Sequence, residues 1–321
     1  MIETPKLPSR LSGLADDFGA QARSIFERFV APMNRAGPPA SIFHYTTKAG
    51  LQGILGTGTL WFTDLFSLDD PTELQYGLSH LKGVLERNFS GQILRIREFV
   101  PMFEAIFPLN TISRLADYFS CSFSTVDDDL SQWMTYSDHG KGYALEFDGR
   151  AFQKVFVLVA GRYAGANFAN FPVDYRQEVL EFWLSELVDA MLVSFRQSKG
   201  YYPGKVQQKF MLELGAHLAT WAPFIALGFK YPKFETQNEY RFLQMYLRNQ
   251  RPSDIHIRVQ DGKSVKYRKL HWLSSTVPIL KSVTIGPGLD PGTSSAFVSH
   301  CLRERELNEV SIHSSNIPWR R

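Results

Sequence analysis

"IFHYTTKAGLQGILGTGTLWFTD", residues 42–64, decides the fold. Ile42 to Thr46 is β-branched and aromatic, which predicts a strand. Thr47 is placed to cap a helix from Lys48 to Leu55, with Leu51, Ile54 and Leu55 on its apolar side. Gly56 and Gly58 end that helix, and Leu60 to Thr63 forms a second strand. Side chains two apart in a strand share a face, so His44 and Thr46 point one way and Phe43 and Tyr45 the other. A histidine and a hydroxyl at a strand end can hydrogen-bond the hydroxyls of a ribose. A histidine satisfied by backbone is the plainer reading of the same residues.

The next segment, LDDPTEL, has Asp70 before Pro71 and Glu73 three residues on. Asp at the N-cap, Pro at N1 and Glu at N3 predict a helix start, with helical spacing to about Arg87. YFSCSFS, residues 118–124, alternates strictly. Phe119, Cys121 and Phe123 form a core face, and Ser120, Ser122 and Ser124 form a face able to line a cleft. Cys121 therefore reads as a small buried hydrophobe and not as a nucleophile. In TVDDDLSQWMTYSDHGKGYALEFD an aspartate caps a short helix carrying Trp133 and Tyr136, and Tyr143 to Phe147 is a strand. In QNEYR, Gln237, Glu239 and Arg241 are expected on one face of a strand. That set suits either a sugar cation or an ordinary edge-strand surface.

Upstream, residues 8–31 show helical apolar spacing (Leu11, Leu14, Phe18, Ala22, Phe26, Val30), broken by the prolines of APMNRAGPPA. Residues 1–40 are read as a helical N-terminal extension with a linker. Residues 41–321 are read as one α+β domain with a mostly helical insertion at about 176–230, interrupted at YYPGK. Downstream, SVTIGPGL is a strand, TSSAFVSHCLRERELN a capped helix and EVSIHSS a last short strand. Strands and helices mix without strict alternation, which favours α+β over a doubly wound sheet.

Composition narrows the functional classes. The chain has 321 residues, 44% hydrophobic and 14% aromatic, which suits a substantial core. A net charge of +3 is too mild by itself to argue for nucleic acid. Two cysteines without CxxC spacing argue against a disulfide scaffold or a thiolate zinc site, and fit a reducing compartment. No signal-like leader and no membrane-length apolar run is visible, so a soluble, cytoplasmic protein with no membrane partner is expected. HExxH, GxSxG, GxxxxGK[ST] and GxGxxG are all absent, and the histidines are scattered singly, so no metal site is expected. A Cys–His hydrolase using Cys121 with His44 or His139 conflicts with the strand alternation.

The stretch IFHYTTKAGLQGILGTGTLWFTDLFSLDDPTEL resembles the opening of a widespread bacterial family, domain of unknown function 2971. The likeness continues through SFS, the QWMTYSDHGKGYALEFD pattern, NEYRF, VTIGPGL and the IPWR tail, over about residues 42–320. Two positions depart from the family pattern. Asp69 stands where Asn is commoner, and Gln237 where a second acidic residue is common.

The opening also resembles, over short motifs, the ADP-ribosyltransferase superfamily of the His–Tyr–Glu type. That resemblance implies split mixed β-sheets with flanking helices, and NAD as co-substrate in a cleft between the sheets. By the same resemblance His44 holds the adenosine-side ribose, Thr46 the nicotinamide ribose, Tyr136 packs on nicotinamide and Glu239 is the late acidic residue. Tyr45, Ser122, Trp133, Gln237 and Arg241 complete the expected NAD-binding set. The implied function is ADP-ribosyl transfer to a protein or nucleic-acid acceptor, in a toxin or phage-defence role. A nucleotide-binding or sensor module with the same fold, and an NAD glycohydrolase or other hydrolase, are the alternatives.

Overall fold

A computed structural model describes residues 6–67, 72–89, 109–162, 167–198, 204–260, 262–273 and 278–319. Its first strand, β1 (Ser41–Thr46), leads into α2 (Lys48–Thr57), which follows the N-terminal helix α1 (Ser9–Ala36). The Thr47 side chain accepts from Gly50 N, and Gly58 closes α2 in the left-handed region at φ 62°. This is the expected cap and stop, with the helix running two residues further than its apolar spacing indicates. β2 (Thr59–Asp64) follows. The expected Asp70–Pro71–Glu73 cap lies outside the described residues; α3 is Thr72–Phe89.

After α4 (Leu109–Leu115) come β3 (Ala116–Ser124), α5 (Leu130–Tyr136), β4 (Tyr143–Asp148), α6 (Gly149–Ala160) and β5 (Asn167–Pro172). Two long helices, α7 (Gln177–Gln197) and α8 (Lys205–Ala226), precede β6 (Glu239–Leu247). Most of the interruption at YYPGK lies outside the described residues. A hairpin of β7 (His256–Gln260) and β8 (Lys263–His271), then β9 (Leu280–Ile285), α9 (Pro291–Arg303) and β10 (Ser311–Ser314), complete the chain.

The strands form one mixed sheet in the order β10-β9-β4-β1-β3-β2-β8-β7, with β6 on the other side of β3 and β5 beyond it. Among the described strands only β10 and β9 pair in parallel. One sheet face meets α1, α3, α7 and α8 through Tyr118, Leu243 and Met245. The other meets α2, α6 and α9 through Phe62, Phe123, Leu145 and Phe242. This is an α+β architecture with helices on both faces of a mixed sheet.

The N-terminal helix outruns its expected end. Pro32 lies inside α1, and the helix stops only before Gly37 at φ 67°. A proline inside a helix removes a backbone bond and costs about 3 kcal/mol. Packing outweighs that cost here. Phe26 stacks on Phe224 of α8 at 4.4 Å between ring centroids, and Phe29 meets Trp183 of α7 at 5.6 Å. The N-terminal helix and the two long helices thus share one core.

β3 changes partner along one of its edges. Along one edge it pairs with β6 over its whole length, Ala116–Leu247 to Ser124–Glu239. Along the other it changes partner. It meets β2 at Thr63–Ser120 and Asp64–Phe119, and β1 at the single pair Phe43–Ser124. Between those points β1 and β2 diverge, β1 into its ladder with β4 and β2 into its ladder with β8. The sheet is split there, opposite Cys121 to Phe123.

Candidate functional site

The split opens into a cavity of about 270 Å³. β1 contributes Phe43, His44 and Tyr45 to its wall, β2 contributes Trp61 and Thr63, and β3 contributes Ser120 to Ser124. Gln132 and Tyr136 come from α5, and Lys230, Gln237, Glu239 and Arg241 from the segment entering β6.

His44 occupies the gap between β1 and β3. Its Nδ1 lies 3.3 Å from the Ser122 carbonyl oxygen. That oxygen can only accept, so Nδ1 carries the proton and Nε2 keeps a lone pair. Burial lowers the pKa of His44 against the opposing pull of the Ser122 carbonyl, so the ring is neutral near pH 7. The Phe123 ring, 5.6 Å away edge to face, fixes its plane.

Glu239 is the charged centre. It is 6% exposed and bound from three sides. Arg241 Nε and Nη2 reach Oε1 at 2.8 and 2.7 Å, Lys230 Nζ lies 2.6 Å from Oε2, and Ser122 Oγ donates to Oε1 at 2.6 Å. Burial alone would raise the Glu239 pKa; Arg241, Lys230 and the Ser122 hydroxyl reverse that and hold it down at about 2. The carboxylate is therefore ionised across the physiological range. Arg241 and Lys230 are the two cations that share it in the wall. Ser122 joins two of the three expected catalytic residues (His44, Tyr136 and Glu239), its carbonyl on His44 and its hydroxyl on Glu239.

Gln237 reaches this centre by another route than the expected strand alternation. It ends a 3-10 turn, Pro232–Gln237, and Asn238 follows at φ 45°. β6 begins only at Glu239, so residues 237 and 239 do not alternate along one strand. The turn doubles the chain back instead. Lys230 Nζ donates to Gln237 Oε1 at 2.9 Å while also pairing with Glu239. The Gln237 carbonyl accepts from Gln132 Nε2 at 3.0 Å and from Ser124 Oγ at 3.3 Å, which ties α5 to the mouth of β6.

The expected pair on α5 separates. Asp129 caps the helix through Gln132 N, and Tyr136 reaches the cleft wall with 45% of its surface exposed. Trp133, however, is fully buried and forms no part of the wall. Its indole Nε1 donates to Asp128 Oδ1 at 2.8 Å, and its ring meets Tyr45 edge to face at 4.8 Å. Tyr45 is locked further by donating to the Val126 carbonyl and accepting from Asp129 N. Trp133 thus positions Tyr45 and has no surface for a ligand. Thr46 also lies outside the wall. It packs on α2, where a Cβ on Gly50 would fall 1.9 Å from Thr46 Oγ1.

Cys121 is 4% exposed among Phe119, Phe123 and Phe242 on the apolar face, and burial pushes its thiol far above the usual range. Among the described residues no three His, Cys, Asp or Glu side chains gather as metal ligands would. Among the described helices none is long and apolar enough to cross a membrane. Sequence reading missed Lys230, Gln132, Trp61 and Thr63. For Lys230 a weak signal existed, a lone cation closing the apolar run of α8.

Comparison with curated proteins and with solved structures finds no match. Residues 132–242, a segment that carries Gln132, Tyr136, Lys230, Gln237, Glu239 and Arg241 of the cleft wall, match the model of the family described as Protein of unknown function (DUF2971).

Proposed function

We propose that the cleft binds NAD and transfers its ADP-ribose to a macromolecular acceptor. The observation that supports this reading is the meeting of an ionised, buried Glu239 with His44 and Tyr136 in one cavity at the split of the sheet. The cavity is at the small end of ligand sites. It suits nicotinamide and its ribose, with the rest of the dinucleotide lying outward. The free lone pair on His44 Nε2 accepts from a ribose hydroxyl.

In the reaction the bond between ribose C1′ and the nicotinamide nitrogen breaks, and its electron pair leaves with neutral nicotinamide. C1′ becomes oxocarbenium-like, as in glycoside cleavage. A fixed carboxylate beside it stabilises the transition state more than the ground state. The acceptor's lone pair then closes the new bond to C1′ and its proton passes to water. With a pKa of about 2, Glu239 acts through charge and does not serve as the base.

One observation favours a second reading, a nucleotide-binding module without turnover. Arg241 and Lys230 already compensate the Glu239 charge that the oxocarbenium ion would face. Nicotinamide release from NAD separates the two. The transferase reading expects release that Glu239→Gln lowers by roughly 10²–10³-fold, the scale of one strong electrostatic stabiliser. Binding of NAD without release would establish the module, and neither binding nor release would overturn both.

A further inference from the structure

The helix α5 brings Gln132 and Tyr136 to the cleft wall, yet it has only seven residues. A helix that short is marginal by itself, so its place depends on what packs against it. Gln132 ties it to the Gln237 carbonyl. Its other support comes from far away in sequence, from residues 315–319, which take no part in the cleft wall themselves.

Residues 315–319 follow β10 and meet α5 before its start, along its length and beyond its end. Before the start, Asp128 uses both carboxylate oxygens. Oδ1 accepts from Trp133 Nε1 at 2.8 Å, and Oδ2 accepts from the Asn316 backbone N–H at 2.7 Å. Along the helix, Ile317 packs on the small cluster of Phe43, Tyr45, Trp133 and Ala144. Phe43 and Tyr45 are also wall residues of the cleft. Beyond the end, the Ser137 hydroxyl and Gly140 N donate to the Trp133 carbonyl at 2.6 and 3.0 Å. The Trp319 ring lies against Gly140, where a Cβ would fall 3.1 Å from it. Ser315 N donates to the Ile285 carbonyl at 2.9 Å and anchors the segment to β9.

The backbone on either side of α5 adds an independent observation. Among the described residues five non-glycine residues have positive φ, and three of them flank α5: Asp128 at 47°, Asp138 at 49° and His139 at 52°. Asp and His tolerate this left-handed region better than most residues. It still persists only where the surroundings fix it, and it collects at ligand clamps and switch regions. At Asp128 the surroundings that fix it are the Trp133 indole and the Asn316 N–H.

We propose that Asp128 is a positioning residue of the cleft and that residues 315–319 are the strap it fastens, the two together holding Gln132 and Tyr136 in the wall. A carboxylate shared by two donors couples them, and hydrogen bonds to a charged group are the stronger kind. The hold on α5 is independent of what the cleft binds; its effect on NAD affinity rests on the transferase reading above. Plain anchoring of residues 315–319 to the sheet is a smaller role, already met by the Ser315–Ile285 bond, and it does not involve α5.

The test changes the strap and reads α5. Asn316→Pro removes the N–H that Asp128 accepts, and Ile317→Ser removes the apolar contact with Trp133. Hydrogen exchange of the full chain is followed by mass spectrometry without NAD, and circular dichroism verifies the fold of each variant. Amides of α5 should exchange about 10- to 100-fold faster in each variant, the scale of one lost hydrogen bond to a charged group, while those of α8 stay unchanged. Asp128→Asn suits the same backbone conformation but has one accepting oxygen, so it should act alike. Adding Asn316→Pro to it should change little more, because the Asn amide then faces no second donor. NAD calorimetry should show binding weakened about 5-fold or more by the strap variants. Unchanged exchange in α5, acceleration shared by α5 and α8, or full additivity of Asp128→Asn and Asn316→Pro would overturn the proposal. So would faster exchange in α5 with NAD bound as tightly as by the wild type. A wild type that binds no NAD would dismiss the transferase reading, and α5 exchange then decides the strap by itself.

Discussion

Replacing Glu239 by Gln tests the charged centre independently of any ligand. The substitution keeps the shape but takes the Glu239 charge away from Arg241 and Lys230, 2% and 6% exposed. Breaking a buried pair from one side costs about 3–5 kcal/mol. Proton linkage gives a similar figure. A carboxylate held at about 2 against an ordinary 4.5 contributes about 3 kcal/mol near neutral pH. With an unfolding entropy near 2.1 cal/mol/K per residue, a chain of 321 residues should lose about 4–7 °C in Tm. The sign with pH is fixed by the depressed pKa. The Glu239 contribution is fully present above pH 4.5 and is lost as pH falls through 4.5 toward 2. The gap in Tm between wild type and Glu239→Gln should therefore be widest near pH 7 and close in acid. Adding Lys230→Met removes one of the two buried cations and should recover part of the loss. Thermal melts from pH 3 to 7 measure all of this. A variant within 1 °C of wild type at pH 7, or a gap that widens in acid, would refute the reasoning.

Other outcomes follow from single side chains. Cys121→Ala should retain whatever NAD turnover the wild type shows, whereas Cys121→Asp should prevent folding because an unpaired buried charge is costly; loss of turnover in well-folded Cys121→Ala would restore the thiol-hydrolase reading. Asp129→Ala should cost about 0.5–2 kcal/mol in urea melts by removing the cap of α5. Two glycines should behave oppositely. A Cβ on Gly142 would fall 2.2 Å from the Thr46 carbonyl oxygen, so Gly142→Ala should destabilise strongly, while Gly53 in α2 has nothing within 4 Å and Gly53→Ala should stabilise by up to about 1 kcal/mol.

Local rules carried the sequence reading wherever the cause was local. The Thr47 cap, the Gly58 stop and the β3 alternation that buries Cys121 each depend on a few neighbouring residues. The reading failed where distant packing decided. Pro32 should have ended α1, but Phe26 and Phe29 bury against α7 and α8 and hold the helix through it. Gln237 reads as a strand residue because no local signal marks the 3-10 turn that brings Lys230 onto Glu239. β5, NFANFP, ends in proline and holds to the sheet only through β6, so its propensity gave it no mark.

Calorimetric titration of NAD into the wild type and into His44→Ala tests the central claim most directly. The account expects one NAD per chain in the wild type. It expects His44→Ala to weaken binding several-fold or more, because the ring serves a ribose hydroxyl in the ground state as well as in the transition state. Because His44 is already neutral near pH 7, wild-type affinity should not change between pH 7 and pH 9. A wild type that evolves no heat with NAD, or a His44→Ala protein that binds it equally well, would contradict the account.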